Sequence, residues 1–332
     1  MKKLLCITVM LTILSFAFSM DISVLGTFGN ANMSWTSTTP IAEPAFPYTN
    51  WLPGMEITLS ENTANNISFS IDYLLDPVLR SLLTGTINYN LGIFKLGIGP
   101  MAGLFNTWSV PVKAGITTLF GIDIIGSFFA GISVGSSIGA PPSAPGDYMQ
   151  EYNTLYAGYY LSNAVCTLAV DTKSLYVMGE ANTRIIDRST EYKFITELFK
   201  KNVPYTLTLG FSAIKISRDY GNSVIDSLFN LMVKTKFSYS VVPGVYIDMV
   251  FNGVVYSLGL DALAGRGPAN NTLLFSAGFG VTFRPDLYRT SAALPSEPTT
   301  EPTTEPETNV QSESTNEPAA ETQSESEEAS AP

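Results

Sequence analysis

The chain contains no histidine among its 332 residues, and it is poor in charge and in cysteine. Without an imidazole, Ser-His-Asp and Cys-His catalysis and His-ligated zinc are excluded. Lys, Arg, Asp and Glu together make up 14% of the residues, against about 25% in ordinary soluble domains. No apolar run in the mature chain reaches the roughly 20 residues that a membrane-spanning helix needs. We therefore expect no enzymatic activity and no catalytic, cofactor-binding or metal-binding residues.

The amino terminus has the three parts of a secretory signal peptide. Met1 is followed by two lysines, residues 4–18 carry no charge, and small residues then occupy the positions that precede a cleavage site. We predict that residues 1–19 are a signal peptide that is removed on export. Cys6 would leave with it, so that Cys166 would be the one cysteine of the mature chain and no internal disulfide could form.

The net charge of −11 is concentrated at the carboxyl end. Residues 295–332 contain ten Glu and no Lys or Arg, which leaves 18 basic and 19 acidic residues in the rest of the chain. A segment this polar has almost nothing to bury, and we predict a disordered tail over residues 290–332. Because the body has no basic stripe to neutralise phosphates, nucleic acid is not expected as a partner.

Period-two alternation dominates residues 20–289. Residues 67–73 place Ile and aromatic side chains on one face and Ser and Asp on the other, and residues 273–283 repeat the pattern with Phe275, Phe279 and Phe283. Turn signals such as Pro-Gly and Asn-Gly separate these runs, whereas long helical patterns do not. We count fifteen strand candidates, near residues 22, 55, 67, 84, 93, 110, 122, 154, 165, 175, 204, 233, 245, 254 and 271.

Three stretches break the alternation and predict short helices in loops. In residues 76–83 an Asp-Pro pair stands where a helix would begin. Residues 190–201 and 224–232 place apolar side chains at helical spacing.

The chemistry of the two strand faces favours a membrane barrel over a soluble sandwich. A soluble sandwich exposes a charged face, but here the polar face is mostly Ser, Thr, Gly and Asn, opposite a face of aromatic and aliphatic residues. An open sheet in lipid would leave unpaired backbone groups, so the sheet must close. We predict an all-β, antiparallel transmembrane β-barrel of about 14 strands (range 12–16) over residues 20–289. A secreted soluble β protein is the alternative fold.

With this alternation, its signal peptide and a last strand that ends Phe279-Gly-Val-Thr-Phe283, the chain resembles bacterial single-chain outer-membrane β-barrel proteins. The resemblance covers residues 20–289 and no subfamily motif accompanies it. It implies outer-membrane lipid and the barrel-insertion machinery as partners. In such proteins an aromatic residue usually ends the chain, whereas here the tail follows Phe283 and would lie in the periplasm if the strand number is even. We therefore predict fourteen strands rather than fifteen, with loops 30–52, 138–153 and 217–232 on the cell surface.

Charged residues on the polar face are the candidates for a transport site. Five acidic and six basic residues would face the lumen, which predicts no strong ion selectivity: Glu56, Asp72, Glu180, Asp248 and Asp261 with Lys95, Lys113, Arg184, Lys234, Lys236 and Arg284. They would either line a wet channel or pair across a filled lumen. The first hypothesis is a porin-like channel for passive passage of small solutes, narrowed by loop 138–153.

The second hypothesis is a surface adhesin or structural protein whose barrel is plugged. Its binding residues would lie in loop 30–52, which is rich in Thr and Pro and contains Trp35, Phe46 and Tyr48. Neither hypothesis defines the oligomeric state or requires a cofactor.

Overall fold

The computed structural model describes most of the body of the chain. The described residues are 20–32, 51–62, 66–76, 78–104, 112–179, 183–200, 203–221, 225–261, 263–264 and 273–284. The predicted signal peptide, the predicted tail, most of loop 30–52 and the candidate lumen residue Glu180 lie outside these ranges.

Fourteen β-strands contain most of the described residues. Their bounds are β1 Asp21–Gly29, β2 Leu52–Asn62, β3 Ile67–Asp76, β4 Arg80–Leu91, β5 Phe94–Leu104, β6 Lys113–Ile124, β7 Phe128–Ser137, β8 Tyr148–Leu161, β9 Ala164–Met178, β10 Arg184–Phe199, β11 Tyr205–Asp219, β12 Ile225–Val242, β13 Val245–Asp261 and β14 Phe275–Phe283. Across the described ranges, no helix is long and apolar enough to span a membrane.

The strands form one closed antiparallel barrel in which each strand pairs with its sequence neighbours. Closure occurs between the first and last strands: Gly26 of β1 pairs with Phe279 of β14 on one side and with Met55 of β2 on the other. Closure pairs the strand edges that an open sheet would leave unsatisfied in lipid. The prediction of an antiparallel barrel of about 14 strands is confirmed.

The two ends of the barrel differ in their connections. We call the end that holds the start of β1 and the end of β14 the turn end. The strands are joined there by short turns, and the β4–β5 and β12–β13 turns contain Gly92 and Gly244 at positive φ. The opposite end, the loop end, carries the connection between β1 and β2 and the residues between β7 and β8. The predicted loops 138–153 and 217–232 are shorter than expected, because residues 148–153 belong to β8 and residues 217–219 and 225–232 belong to β11 and β12.

The barrel wall is uneven in height. Strands β1 to β7 and β14 have 9 to 12 residues, whereas β8 to β13 have 14 to 18. A tilted strand of about 9–11 residues already crosses the hydrocarbon layer. The longer strands therefore extend beyond the lipid and form a tall wall on one side of the barrel.

The three predicted loop helices are wrong. Residues 190–199 continue β10 and residues 225–232 begin β12, and both strands pair along their lengths with two neighbours. Their apolar residues fall at helical spacing because they occupy both faces of a strand: in β10, Phe194 faces outward and the adjacent Ile195 faces the lumen. A helix here would also open the barrel and expose two strand edges.

In place of the third predicted helix, residues 76–83, the chain turns tightly after Asp76 and enters β4 at Arg80. The Asp76 carboxylate accepts hydrogen bonds from the backbone N–H groups of Val78 and Leu79, at 2.8 and 2.9 Å. Asp76 therefore caps backbone N–H groups, as it would at the start of a helix. No helix follows, because Arg80 adopts φ +67° and the chain enters β4.

Candidate functional site

Side chains alternate between the lumen and the outer surface, and the two sides differ in chemistry. On β9, Lys173 and Asp171 face the lumen, whereas Val170 and Leu168 face outward. Leu168 is 62% exposed, as expected of a residue that contacts lipid. The lumen is therefore polar inside an apolar wall.

Three ion pairs lie inside the lumen. Lys173 contacts Asp76, Lys193 contacts Asp171, and Lys234 contacts Glu191. The first pair joins β9 to β3, two strands on opposite sides of the barrel. We call these six residues the ionic belt. Because each cation in the belt has a carboxylate partner, the belt is close to electrically neutral.

A second ionic group lies nearer the loop end. Arg218 on β11 donates through Nε and Nη2 to both carboxylate oxygens of Asp187 on β10, at 2.6 and 2.7 Å. Their side chains are 3% and 5% exposed. The neighbouring Tyr220 donates to Asp226 at 2.8 Å, and burial together with this bond raises the pKa of Tyr220. Such a two-point Arg–carboxylate contact fixes the relative position of the strands as well as pairing the charges.

The β3–β4 turn folds into the lumen rather than away from it. Leu79 at its tip is 1% exposed and packs with Leu82 and Met101. Gln150 of β8 donates through Nε2 to the Leu79 carbonyl and to the Ser81 carbonyl, the latter at 3.2 Å. This turn, which the Asp76–Lys173 pair connects to β9, narrows the lumen toward the loop end.

The residues between β7 and β8 do not form the constriction that the sequence predicts for loop 138–153. Most of residues 138–147 are exposed, and Asp147 is bound by Lys113 at the rim. The hydrogen bond from the Lys113 ammonium lowers the pKa of Asp147. The β3–β4 turn narrows the lumen instead, because Leu79 packs against apolar residues inside the barrel and Asp76 contacts Lys173.

Two of the cavities in the lumen adjoin each other. The first, of about 520 Å³, lies against the ionic belt and is also lined by Glu56 and Thr154. The second, of about 320 Å³, lies against β2 to β8 toward the turn end. Asp72, Thr84 and Tyr152 line both cavities, so they adjoin. Their polar lining suits water and small polar solutes.

The structure places most of the predicted lumen charges inside the barrel. Glu56, Asp72, Lys95 and Lys234 line lumen cavities. Lys236 contacts the buried Asp248 at 3.3 Å.

Four predicted residues lie near the rims or outside. Lys113 is at the loop-end rim, Asp261 lies there 3.6 Å from Lys215, and Arg284 stacks over a tyrosine at the turn end, 5.8 Å from the ring centre. Arg184 belongs to the outward series of β10 and stacks over Tyr176 at 5.0 Å.

Sequence reasoning missed most of the ionic belt and the Arg218–Asp187 pair. Asp171, Lys173, Glu191 and Lys193 carry a signal that could have found them, because each occupies an alternate position on the same strand face as its charged neighbour. The interpretation of 190–201 as a helix hid that alternation in β10. Among the described residues, no group of His, Cys, Asp and Glu could hold a metal ion.

The outer surface of the barrel carries an apolar groove. This groove of about 880 Å³ runs across β6 to β13 and is lined almost entirely by outward apolar side chains, with small residues such as Ala130, Ala157 and Ala213 among larger ones such as Leu155 and Phe211. Cys166 is also on an outward position, 3.8 Å from the Thr196 hydroxyl. The groove therefore belongs to the lipid-facing side and not to the lumen.

Comparison with known proteins gives fold-level similarity only. No family model and no curated protein matches the chain. A porin structure is 11% identical over 80% of this chain and 99% of its own, with a TM-score of 0.38. An outer membrane channel from Pseudomonas putida F1 is 8% identical over 80% of this chain and 95% of its own, with a TM-score of 0.40. The outer membrane protein OmpT of Vibrio cholerae is 8% identical over 80% of this chain and 96% of its own, with a TM-score of 0.39.

These similarities are too distant to carry a functional argument, and the architecture rests on the chain's own geometry. Fourteen antiparallel strands close on themselves, the outer surface is apolar, and the interior is charged. The chain thus has the general architecture of bacterial outer-membrane β-barrel proteins.

Proposed function

We propose that the protein resides in the bacterial outer membrane and lets small polar solutes diffuse passively through its lumen. The observation that carries the proposal is the pair of connected polar cavities beside the ionic belt, inside a lipid-facing wall. A polar solute crossing lipid must exchange its water for other hydrogen-bonding groups, and the lumen side chains supply them. The role is transport rather than catalysis.

The arrangement of lumen charges favours weak ion selectivity. The ionic belt has three lysines and three carboxylates, each paired. Beside it, Glu56, Asp72 and Lys95 have no ion-pair partner among the described residues. Two carboxylates against one ammonium leave a slight excess of negative charge, so small cations should pass somewhat more readily than anions.

Single-channel recording tests this proposal. Detergent-folded protein in a planar bilayer should give discrete open steps and, in a salt gradient, a reversal potential of weak selectivity. Lys234→Glu together with Lys236→Glu should move that potential further toward cations, because both side chains face the lumen. Lys215→Glu is the matched control, since Lys215 lies on the outward series of β11 and is half exposed.

Heat-modifiable gel migration should first show that each variant is folded, since the reversed charges would face Glu191 and Asp248. Lys234→Gln provides a milder form of the same test. Unchanged reversal potentials in folded lumen variants would contradict the assignment of these lysines to the conduction path.

The tucked β3–β4 turn favours one alternative, a closed barrel that serves as a surface adhesin or structural protein. Leu79 and Gln150 at the turn contacts are fully buried, which is what a plug requires. Folded protein that never conducts would support this function and refute the channel. The search for a binding surface would then move to loop 30–52, tested by deleting residues 33–50.

A further inference from the structure

The smaller of the two adjoining lumen cavities has the size and the lining of a small-molecule binding site. Its volume of about 320 Å³ is at the lower end of the range of small-molecule sites. Six Ser and Thr side chains without a side-chain partner among the described residues line it, namely Ser60, Ser68, Ser70, Thr84, Thr86 and Ser133. Asn88, Asp72 and Lys95 complete the polar lining.

Asn88 contributes a hydrogen-bond donor to the cavity. Its side chain is 7% exposed and lines the cavity, and its Oδ1 is shielded and has no hydrogen-bond partner among the described residues. The amide NH2 group is therefore the part of Asn88 that a solute can reach, and it too has no partner among the described residues.

The position of Asn88 is supported by its cross-strand partner, Gly97 on β5. A Cβ atom at Gly97 would lie only 2.3 Å from Asn88 Oδ1. The glycine thus provides the space in which the amide rests. On the far side of the cavity, the hydroxyls of Thr117 and Tyr152 are 2.5 Å apart and satisfy each other, which holds that wall in place.

The charges in the cavity exclude an ion as its ligand. Asp72 and Lys95 contribute opposite unit charges, and neither forms a salt bridge to another described residue. A metal ion would be opposed by the Lys95 ammonium, and an anion by the Asp72 carboxylate. A neutral solute meets no such penalty and can bond to both.

We propose that this cavity binds a small, uncharged, polyhydroxylated solute of the monosaccharide or polyol class. Each sugar hydroxyl both donates and accepts, which matches the Ser and Thr hydroxyls. Sugar hydroxyls would donate to the Asp72 carboxylate, and Lys95 and the Asn88 amide NH2 group would donate to sugar oxygens. The inference rests on the proposed function, since it names the solute class of the same lumen, but its test does not require conduction.

The test measures binding of D-glucose to the detergent-folded, full-length protein by saturation-transfer NMR, with cyclohexanol as a ring of similar size that lacks the other hydroxyls. We expect a saturable glucose signal and none from cyclohexanol. Asn88→Leu should weaken binding by about tenfold, as expected for the loss of a buried hydrogen bond. Asn153→Leu is the matched control, because Asn153 is exposed on the outward series of β8.

Asp72→Asn is a second variant of nearly unchanged shape, which keeps the test informative if Asn88→Leu does not fold. It should also weaken glucose binding. The absence of a glucose signal, equal binding by cyclohexanol, or binding unaffected in folded Asn88→Leu and Asp72→Asn would overturn the site. Glucose binding by a protein that never conducts would uphold the site and refute the channel. Conduction without glucose binding would uphold the channel and refute the site.

Discussion

Replacing Lys173 by Met should release the β3–β4 turn from the lumen. Lys173 contacts the carboxylate of Asp76, and that carboxylate also accepts the N–H groups of Val78 and Leu79. The Asp76 side chain is 9% exposed and that of Lys173 is 24% exposed, so the pair is largely shielded from solvent. Methionine keeps the length of the side chain but removes the charge that holds the turn to β9.

The free-energy change caused by Lys173→Met depends on the contacts that Asp76 keeps. Removing one partner of a buried ion pair costs about 3–5 kcal/mol. The value at Asp76 should be near the lower limit, because its two backbone hydrogen bonds persist. Opposing release, burial of the Leu79 side chain contributes about 1.5–3 kcal/mol. A loss of about 3 kcal/mol shifts the ratio of tucked to released turn by somewhat more than a hundredfold.

Thiol labelling measures this shift without reference to conduction. Leu79→Cys is introduced with Cys166→Ser, which removes the outward native cysteine. Leu79 is 1% exposed, so a membrane-impermeant maleimide should react slowly with the parent and about a hundredfold faster when Lys173→Met is added. Lys215→Met, on the outer surface, should leave the rate unchanged.

A rescue variant makes the reasoning refutable. Replacing Asp76 by Asn in the Lys173→Met background removes the buried unpaired charge and should restore slow labelling. If Lys173→Met labels at the parent rate, the ion pair does not hold the turn, and the other contacts of the turn, such as the hydrogen bonds from Gln150, are sufficient.

Two further predictions concern the stability of the wall. Arg218→Leu should destabilise the barrel by about 3–5 kcal/mol, because the buried Asp187 loses both of its guanidinium bonds; the midpoint of denaturant unfolding in detergent, read by heat-modifiable migration, measures it. Leu168→Arg should cost about 2–4 kcal/mol and reduce folding into lipid vesicles, since it places a charge on the lipid face.

Each of these has a matched control. Replacing Asp187 and Arg218 together by Leu should restore much of the stability, because no buried charge is left alone. Thr167→Arg places the same residue one position from Leu168, on the lumen side, and should fold far better. Equal folding yields for the two arginine variants would contradict the assignment of inner and outer faces.

Several features of the barrel were predictable because they are local. Alternation in residues 67–73 and 273–283, together with low charge, indicates strands with one lipid-facing side, and closure follows from the cost of unpaired edges in lipid. The strand count was less direct. Candidates near 165 and 175 are both β9, and those near 245 and 254 are both β13, while β10 was interpreted as a helix. Two strands counted twice and one missed give fifteen candidates, one too many, and the expectation of an even strand number brought the prediction to fourteen.

The candidate site was only partly predictable, because alternation assigns a residue to a face but not to a partner. Lys234 and Asp248 were correctly expected on the polar face, but nothing local indicates that Lys234 meets Glu191, which is on a strand that is not its neighbour. For Arg184 the predicted face itself was wrong. Arg184 is the first residue of β10, where the face depends on the pairing register, and pairing with Met178 places its side chain outside.

The sequence by itself determined the fold class. Period-two alternation, scarce charge and turn residues are local properties, and they favour strands with one lipid-facing side whichever strands later pair. Only the tertiary structure decided what fills the barrel. Asp76 and Lys173 are 97 residues apart, and they meet because closure brings β3 opposite β9. The contacts that narrow the lumen join residues far apart in the sequence, and no local pattern encodes which distant residues a closed sheet will bring together.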